Sequence, residues 1–397
     1  MPITRCRWWS FLCLWLQMIS RMESGVSCRS EMSSPALPAL PESRVVVRRV
    51  RGISVDYLAT VTAFPRPDDK IRSTSSKVQG GGNVGNALTG VARLGLKPRL
   101  ISKIANDAQG TIALSELEND GVDTSYMVVS PEGNSPFTYI IVDSQTKTRT
   151  CIHTPGYPEM RPSDLPQSKL LSALNEARLV YFDCRLHETA LVVAQEAARM
   201  NIPILIDAER RREGLDDLLK LASYVVCSEK FPQEWTAAPS IPSALMSMLL
   251  KLPSAKFVIV TLGERGCIML ERGTEGEGTR LGEMDVDSLL ASLKEKAETD
   301  NPMPTCISSE IEIRRCGLHL RAADPRNSGK NTPAELVDST GAGDAFIAAV
   351  LYSLCAEMPP EKMLPLAARV AAAGCRALGA RTGLPVRTDP RLAQFLL

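Results

Sequence analysis

Leu179-Val180-Tyr181-Phe182 is an unbroken apolar run with the length of a buried strand, and runs of the same kind recur at Ile204-Leu205-Ile206, Tyr224-Val225-Val226 and Phe257-Val258-Ile259-Val260. Between them lie stretches whose apolar residues fall at helical spacing, as at 187–200 and 243–252. Short buried strands alternating with helices pair in parallel through right-handed crossovers. The region therefore predicts an α/β fold, a central and mostly parallel sheet flanked by helices. Earlier in the chain the pattern changes. Segments at 56–61, 71–79 and 137–152 read as extended, half-exposed strands separated by turn residues. They predict a small β-sheet lid, with strands near 55–79 and 137–152, that covers a ligand and excludes water.

Composition bounds the partners. The 397 residues include 46 basic and 45 acidic side chains, which argues against a nucleic-acid partner, since such partners draw a basic surplus. Eleven cysteines without a CxxC pair, and only three histidines, leave little for a zinc site and read as small buried residues of a reducing compartment. The expected location is intracellular, with cytoplasm and plastid both open. No stretch reaches the length of a membrane span. Arg5 and Arg7 precede an apolar run at 8–19, and a Ser/Pro/Ala-rich stretch follows at 32–41. Residues 1–43 thus read as an N-terminal extension, either a targeting peptide or a flexible lead-in. Residues 273–335, rich in Gly, Glu, Asp, Ser and Asn, read as a partly disordered surface insertion with one helical piece near 288–297.

The chemistry is carried by Val337-Asp338-Ser339-Thr340-Gly341-Ala342-Gly343-Asp344-Ala345-Phe346. Apolar residues at Phe346, Ile347, Val350, Leu351 and Leu354 mark one face of the helix that follows. Gly341, Ala342 and Gly343 therefore form a turn at a helix N-terminus, where unpaired N–H groups and the helix dipole attract an anion. Asp344, in the first helical turn, is placed to take a proton from an attacking hydroxyl while those amides stabilise charge on a phosphoryl group. A second segment, Gly80-Gly81-Gly82-Asn83-Val84-Gly85-Asn86, puts amide donors and acceptors beside a closely approachable backbone, as polyol hydroxyls require.

With both segments present, in order and well separated, the chain resembles the pfkB (ribokinase-like) carbohydrate kinases, and among them the ketohexokinase and fructokinase-like members. Asp68-Asp69-Lys70-Ile71-Arg72 and the segment around Arg185 add to the likeness. The resemblance implies one kinase domain over residues 44–390, using ATP with Mg²⁺ to phosphorylate a small sugar. It implies Asp344 as general base and Gly341, Ala342 and Gly343 as the anion hole. Asp56 matches the acid that ends the family's first strand and binds substrate hydroxyls; Gly82, Asn83 and Asn86 match the sugar loop, and Arg185 a basic residue near the phosphates. Thr261, Gly263 and Gly266 match the turn beside the nucleotide. Ser228-Glu229-Lys230-Phe231 stands where many members carry Asn-x-x-Glu, so no metal ligand is assigned. Val47-Arg48-Arg49-Val50-Arg51-Gly52 puts three arginines where a buried strand is expected, which implies a shifted strand boundary or an error in the translated sequence. A nucleoside acceptor, an inactive regulatory or assembly subunit, and a homodimer through the lid stay open at this level.

Overall fold

The computed structural model describes residues 40, 44–48, 53–183, 187–273, 306–313, 316–323 and 335–396. The strands are β1 (Arg44–Arg48), β2 (Ser54–Val61), β3 (Ser75–Gly81), β4 (Lys97–Ala105), β5 (Asp123–Ser130), β6 (Phe137–Asp143), β7 (Arg149–Thr154), β8 (Ala177–Phe182), β9 (Ile204–Ala208), β10 (Tyr224–Ser228), β11 (Phe257–Thr261), β12 (Cys267–Arg272), β13 (Cys306–Ile313) and β14 (Cys316–Ala323). Ten of them form one sheet in the order β13-β14-β12-β11-β10-β9-β8-β1-β4-β5. From β11 to β5 every neighbouring pair is parallel, and β12, β14 and β13 continue the sheet antiparallel. The four apolar runs that predicted the fold are the cores of β8 to β11. Val180, Tyr181, Leu205, Ile206, Val225, Val258, Ile259 and Val260 are fully buried, as expected of parallel strands covered on both faces.

Two expectations are corrected. Two segments of the stretch read as a surface insertion, β13 and β14, are strands that pair with each other and join the main sheet through β12. The helical piece expected at 288–297 lies outside the described residues, as do 1–39, 41–43 and 49–52. Asp56 is the third residue of β2, not the terminus of the first strand. The chain leaves the main sheet after β1, and the acid therefore belongs to the smaller sheet.

That smaller sheet has the order β3-β2-β6-β7. Its register sorts its two faces. Gln79, Asp56, Thr138 and His153 form one row across the four strands, and Val78, Tyr57, Tyr139 and Ile152 form the next. Successive residues of a strand point to opposite faces, so one face carries a polar row and the other an apolar one. Gln79, Asp56 and Thr138 are buried, whereas Val78, Tyr139 and Ile152 are exposed.

The helices are α1 (Asn83–Arg93), α2 (Ala108–Asn119), α3 (Gln167–Leu174), α4 (His187–Arg199), α5 (Leu215–Leu219), α6 (Phe231–Thr236), α7 (Ile241–Lys251), α8 (Ala342–Cys355), α9 (Pro360–Gly374) and α10 (Ala393–Leu396). Among the described residues no helix is long and apolar enough to cross a membrane. The helix pair that matters most is α1 against α8. At Gly90 of α1 a Cβ would stand 2.6 Å from the Cβ of Ala348 on α8, so the two backbones touch where glycine leaves room. One turn earlier on each helix stand Asn86 and Asp344, whose side chains meet. Alanine favours helix over glycine by up to about 1 kcal/mol, so Gly90→Ala would stabilise α1 if space allowed. Overpacking at this contact is expected to reverse the sign and cost roughly 1–3 kcal/mol. In denaturant unfolding, pairing Gly90→Ala with Ala348→Gly should recover about 1 kcal/mol or more over the sum of the single changes. Strict additivity would show that the helices do not touch there.

Candidate active site

The loop before α8 is shaped by a buried carboxylate. Asp338, 1% exposed, accepts the N–H (2.9 Å) and Oγ1–H (2.7 Å) of Thr340 on Oδ1, and the N–H of Gly379 (2.9 Å) on Oδ2. The N–H groups of Val337 and Asp338 both donate to the carbonyl of Cys375, just past α9. The loop is thereby fixed to the chain that follows α9. Gly341 caps α8 at φ 76°, and a Cβ there would lie 2.4 Å from that of Ala380. A side chain at 341 would meet both a strained backbone and a clash.

Asp344 sits in the first turn of α8, 8% exposed, and its Oδ2 accepts Asn86 Nδ2–H at 2.8 Å. Beside it, a Cβ built on Gly343 would meet no atom within 4 Å, so open space adjoins the helix tip. The Ala342 N–H donates back to Ser339 O at 3.3 Å. Of the three residues expected in the anion hole, Gly343 is therefore the one with both a helix-end position and room for a ligand.

Asp56 approaches from the polar row of the small sheet. It is 4% exposed and accepts Ser54 Oγ–H at 3.0 Å. Its carboxylate lies against Gly81, where a Cβ would come within 2.0 Å of it. Burial pushes its carboxyl up to about 6; the Ser54 hydrogen bond and the Arg381 charge pull it down, while Asp338 and Glu116 push it up. Gly82, at φ 81°, turns the chain from β3 into α1, and Asn83 is the half-buried first residue of that helix. Asn86, expected to contact a sugar, bridges Asp344 and Arg381: its Nδ2 donates to the acid and its Oδ1 accepts Arg381 Nε–H at 3.1 Å.

Other groups converge on this place without having been singled out by sequence. Arg149 of β7 donates from Nη1 to Ser339 Oγ at 3.1 Å, bringing a cation from the small sheet to the glycine turn. Arg381, 3% exposed, also donates to the carbonyl of Gly81 at 3.0 Å. Neither had a local signal, because each partner is remote in sequence. Burial pushes the Cys151 thiol up, Arg149 pulls it down, and Asp56, Asp338 and Glu209 push it further. Glu209, just past the C-terminal end of β9, thus lies near Cys151 of the small sheet. Ligands of open parallel sheets gather at this edge.

Thr261, Gly263 and Gly266 lie on the same edge, farther along it. Thr261 ends β11 and donates to Cys227 O at 3.3 Å; Gly263 and Gly266, at φ 59° and 83°, shape a tight turn closed by Leu262 N–H donating to Gly266 O at 2.7 Å. Ser228 Oγ–H donates to Glu209 O at 2.6 Å, tying the ends of β9 and β10 together. Arg185 lies outside the described residues. Among the described residues no group of three or more His, Cys, Asp or Glu side chains could hold a metal ion.

Comparison with known proteins identifies the family. The family model described as pfkB family carbohydrate kinase matches residues 50–286 and 329–387, on both sides of the stretch that contains β13 and β14. Mouse ribokinase is 22% identical over 368 residues, covering 91% of this chain and 98% of its own. Mouse ketohexokinase is 21% identical over 340 residues, covering 84% of this chain and 94% of its own. The structure of Arabidopsis thaliana ribokinase complexed with ribose and ATP superposes with a TM-score of 0.62 at 18% identity, over 89% of this chain and 98% of that one. Nearly equal identities to enzymes named for different sugars single out neither acceptor. The chain belongs to the pfkB family of carbohydrate kinases.

Proposed function

We propose that this protein transfers the γ-phosphoryl group of ATP to an alcohol of a sugar, in the manner of the ketohexokinase and fructokinase-like members, with Asp344 as general base. One observation carries the reading: Asp344 stands at a helix N-terminus beside open space, held by a hydrogen bond to its carboxylate. In the proposed step Asp344 takes the proton of the sugar hydroxyl. The hydroxyl oxygen then bonds to the γ-phosphorus while the bond from that phosphorus to the bridging oxygen breaks and ADP leaves. Such a base contributes roughly 10²–10⁴-fold in rate.

Charge building on the transferring group would meet the Gly343 N–H and the positive end of α8, with Arg149 one residue chain away through Ser339. Asp56, Gly82, Asn83 and Asn86 are the proposed sugar contacts, Asp56 as an acceptor of hydroxyl hydrogens. Thr261, Gly263 and Gly266 are the proposed nucleotide-side turn; space around Gly263, where a Cβ would meet nothing within 4 Å, suits close approach of a flat ligand. Mg²⁺, when bound, would offset phosphate charge, held chiefly by ATP oxygens as is usual for this ion.

The small sheet bears on the choice of acceptor. Tyr57, Phe137 and Tyr139 pack on one another, with ring centroids 5.4–6.0 Å apart. Tyr57 follows Asp56 directly on β2, so this cluster lies on the face opposite to the polar row. A nucleobase stacking near Asp56 would gain nothing from these rings, which favours a bare sugar over a nucleoside. The exposed row of Val78, Tyr139 and Ile152 supports the proposal that a second copy covers this face as a homodimer; a sedimentation run showing only monomer at micromolar concentration would remove it.

With MgATP and a panel of ribose, fructose and nucleosides, ADP release should be stimulated by a sugar. Asp344→Asn should lower kcat by about 10²-fold or more while leaving ATP binding in place. Undiminished turnover in that variant would refute the base. Because burial pushes the Asp56 carboxyl up to about 6 and its ionised form is the stronger acceptor of hydroxyl hydrogens, kcat/KM for the sugar should decline as pH falls through that value. Asp56→Asn should remove that limb from the profile; an unaltered limb would assign it to another group.

A further inference from the structure

Arg381 is the most deeply buried cation near the site, and its surroundings are specific. Its Nε–H donates to Asn86 Oδ1 at 3.1 Å and its Nη2–H to Gly81 O at 3.0 Å. Its Nη1 has no hydrogen bond and lies 3.5 Å from Glu116 Oε2, an oxygen that also accepts Gly80 N–H at 2.7 Å. A Cβ on Gly80 would stand 2.4 Å from Nη1, so the guanidinium occupies the space that Gly80 leaves open, while the next glycine of β3, Gly81, leaves room for the Asp56 carboxylate. Its own carbonyl accepts Arg93 Nη1–H at 2.6 Å, which anchors this part of the chain to the end of α1.

We propose that Arg381 is a positioning residue for phosphoryl transfer: its guanidinium fixes the orientation of the Asn86 amide that holds Asp344, and its charge acts on Asp56. The first half follows from donor and acceptor types. Arginine can only donate and an ionised carboxylate can only accept, so an amide between them has one orientation, oxygen toward Arg381 and nitrogen toward Asp344. A flipped amide would face N–H against guanidinium and oxygen against carboxylate. With Arg381 in place, the base is held in one rotamer by a bond between two helices. The second half follows from position. Asp56 accepts Ser54 Oγ–H from its own strand and lies against Gly81 of β3, whose carbonyl Arg381 holds, so the guanidinium and this carboxylate share one glycine; the charges of Arg381 from the loop after α9, Asp338 from the loop before α8 and Glu116 from α2 act on it. Arg381 is the cation of this set, and Glu116 and Asp338 oppose it. Around Arg381 itself stand Glu116, Asp120, Asp56 and Arg93.

The inference rests on the assignment of Asp344 and Asp56 above, and it makes two predictions of opposite sign. Arg381→Met removes the cation, so the Asp56 carboxyl should titrate higher, by on the order of half a pH unit or more. Glu116→Gln keeps an acceptor for Gly80 N–H but removes a negative charge, so the same carboxyl should titrate lower. Glu116 has a side chain 36% exposed, and this variant is expected to fold even if Arg381→Met does not. The measurement is the ¹³C titration of aspartate carboxyls, with the Asp56 signal assigned by its loss in Asp56→Asn. In parallel, kcat is measured with MgATP and ribose or fructose. Arg381→Lys keeps the charge but loses the fork to Asn86 and Gly81; it should leave the Asp56 midpoint close to wild type and lower kcat about 10-fold or more through misplacement of the base. Unmoved Asp56 midpoints in both Glu116→Gln and Arg381→Met, or an Arg381→Lys variant with full kcat, overturn the proposal. Loss of activity in Asp344→Asn together with that result would leave the base assignment standing and remove only the role of Arg381.

Discussion

The hydrogen bond between Asn86 and Asp344 joins residues 258 apart in sequence, and the site depends on it. A hydrogen bond to an ionised carboxylate inside a protein contributes about 1.5–3 kcal/mol, and here it also sets geometry. It forms because α1 and α8 approach closely, and they approach closely because Gly90 meets Ala348 one turn away. Small residues at the crossing thus translate into the position of a carboxylate.

The remaining parts of the site are arranged around that crossing. Asp338 folds the glycine turn onto the segment after α9, so the amides at the tip of α8 are preset before any ligand arrives. Arg381, in the same segment, reaches back to Gly81 and Asn86. The small sheet supplies Asp56 and Arg149 from the opposite side. A polar row inward and an apolar row outward let one four-stranded sheet contribute to the site while offering a separate apolar surface. Preorganised donors matter most where water is excluded, because fixed dipoles then act in a low-dielectric setting.

Much of the fold was legible from the chain because β8 to β11 are buried on both faces and therefore uniformly apolar. The two main motifs were legible because each is local: a glycine turn followed by a helix, and glycines followed by asparagines. What escaped was set by distant contacts. Arg381 lies in Ala380-Arg381-Thr382, a stretch with no periodic or compositional mark, and its partners come from β3 and α1. Asn86 was legible as part of the sugar loop, but nothing local reveals that its amide also meets an aspartate from the other end of the chain. Strands β13 and β14 were hidden by the Ser, Glu and Asn content of their surroundings, which reads as irregular when strand pairing is unseen. Asp56 was placed on the wrong strand because the boundary between β1 and β2 falls within Arg48-Arg49-Val50-Arg51-Gly52, where arginines obscure the apolar pattern of a strand.

The central claim is that one carboxylate and one helix tip act on the same transferring group. A crystal structure with ADP, a sugar acceptor and a planar fluoride mimic of the phosphoryl group tests it most directly. The account predicts the mimic against the amide of Gly343 and a sugar hydroxyl roughly 3 Å from the Asp344 carboxylate, within reach for proton transfer. A mimic bound elsewhere, or a hydroxyl directed away from Asp344 with the Asn86 bond intact, would contradict it.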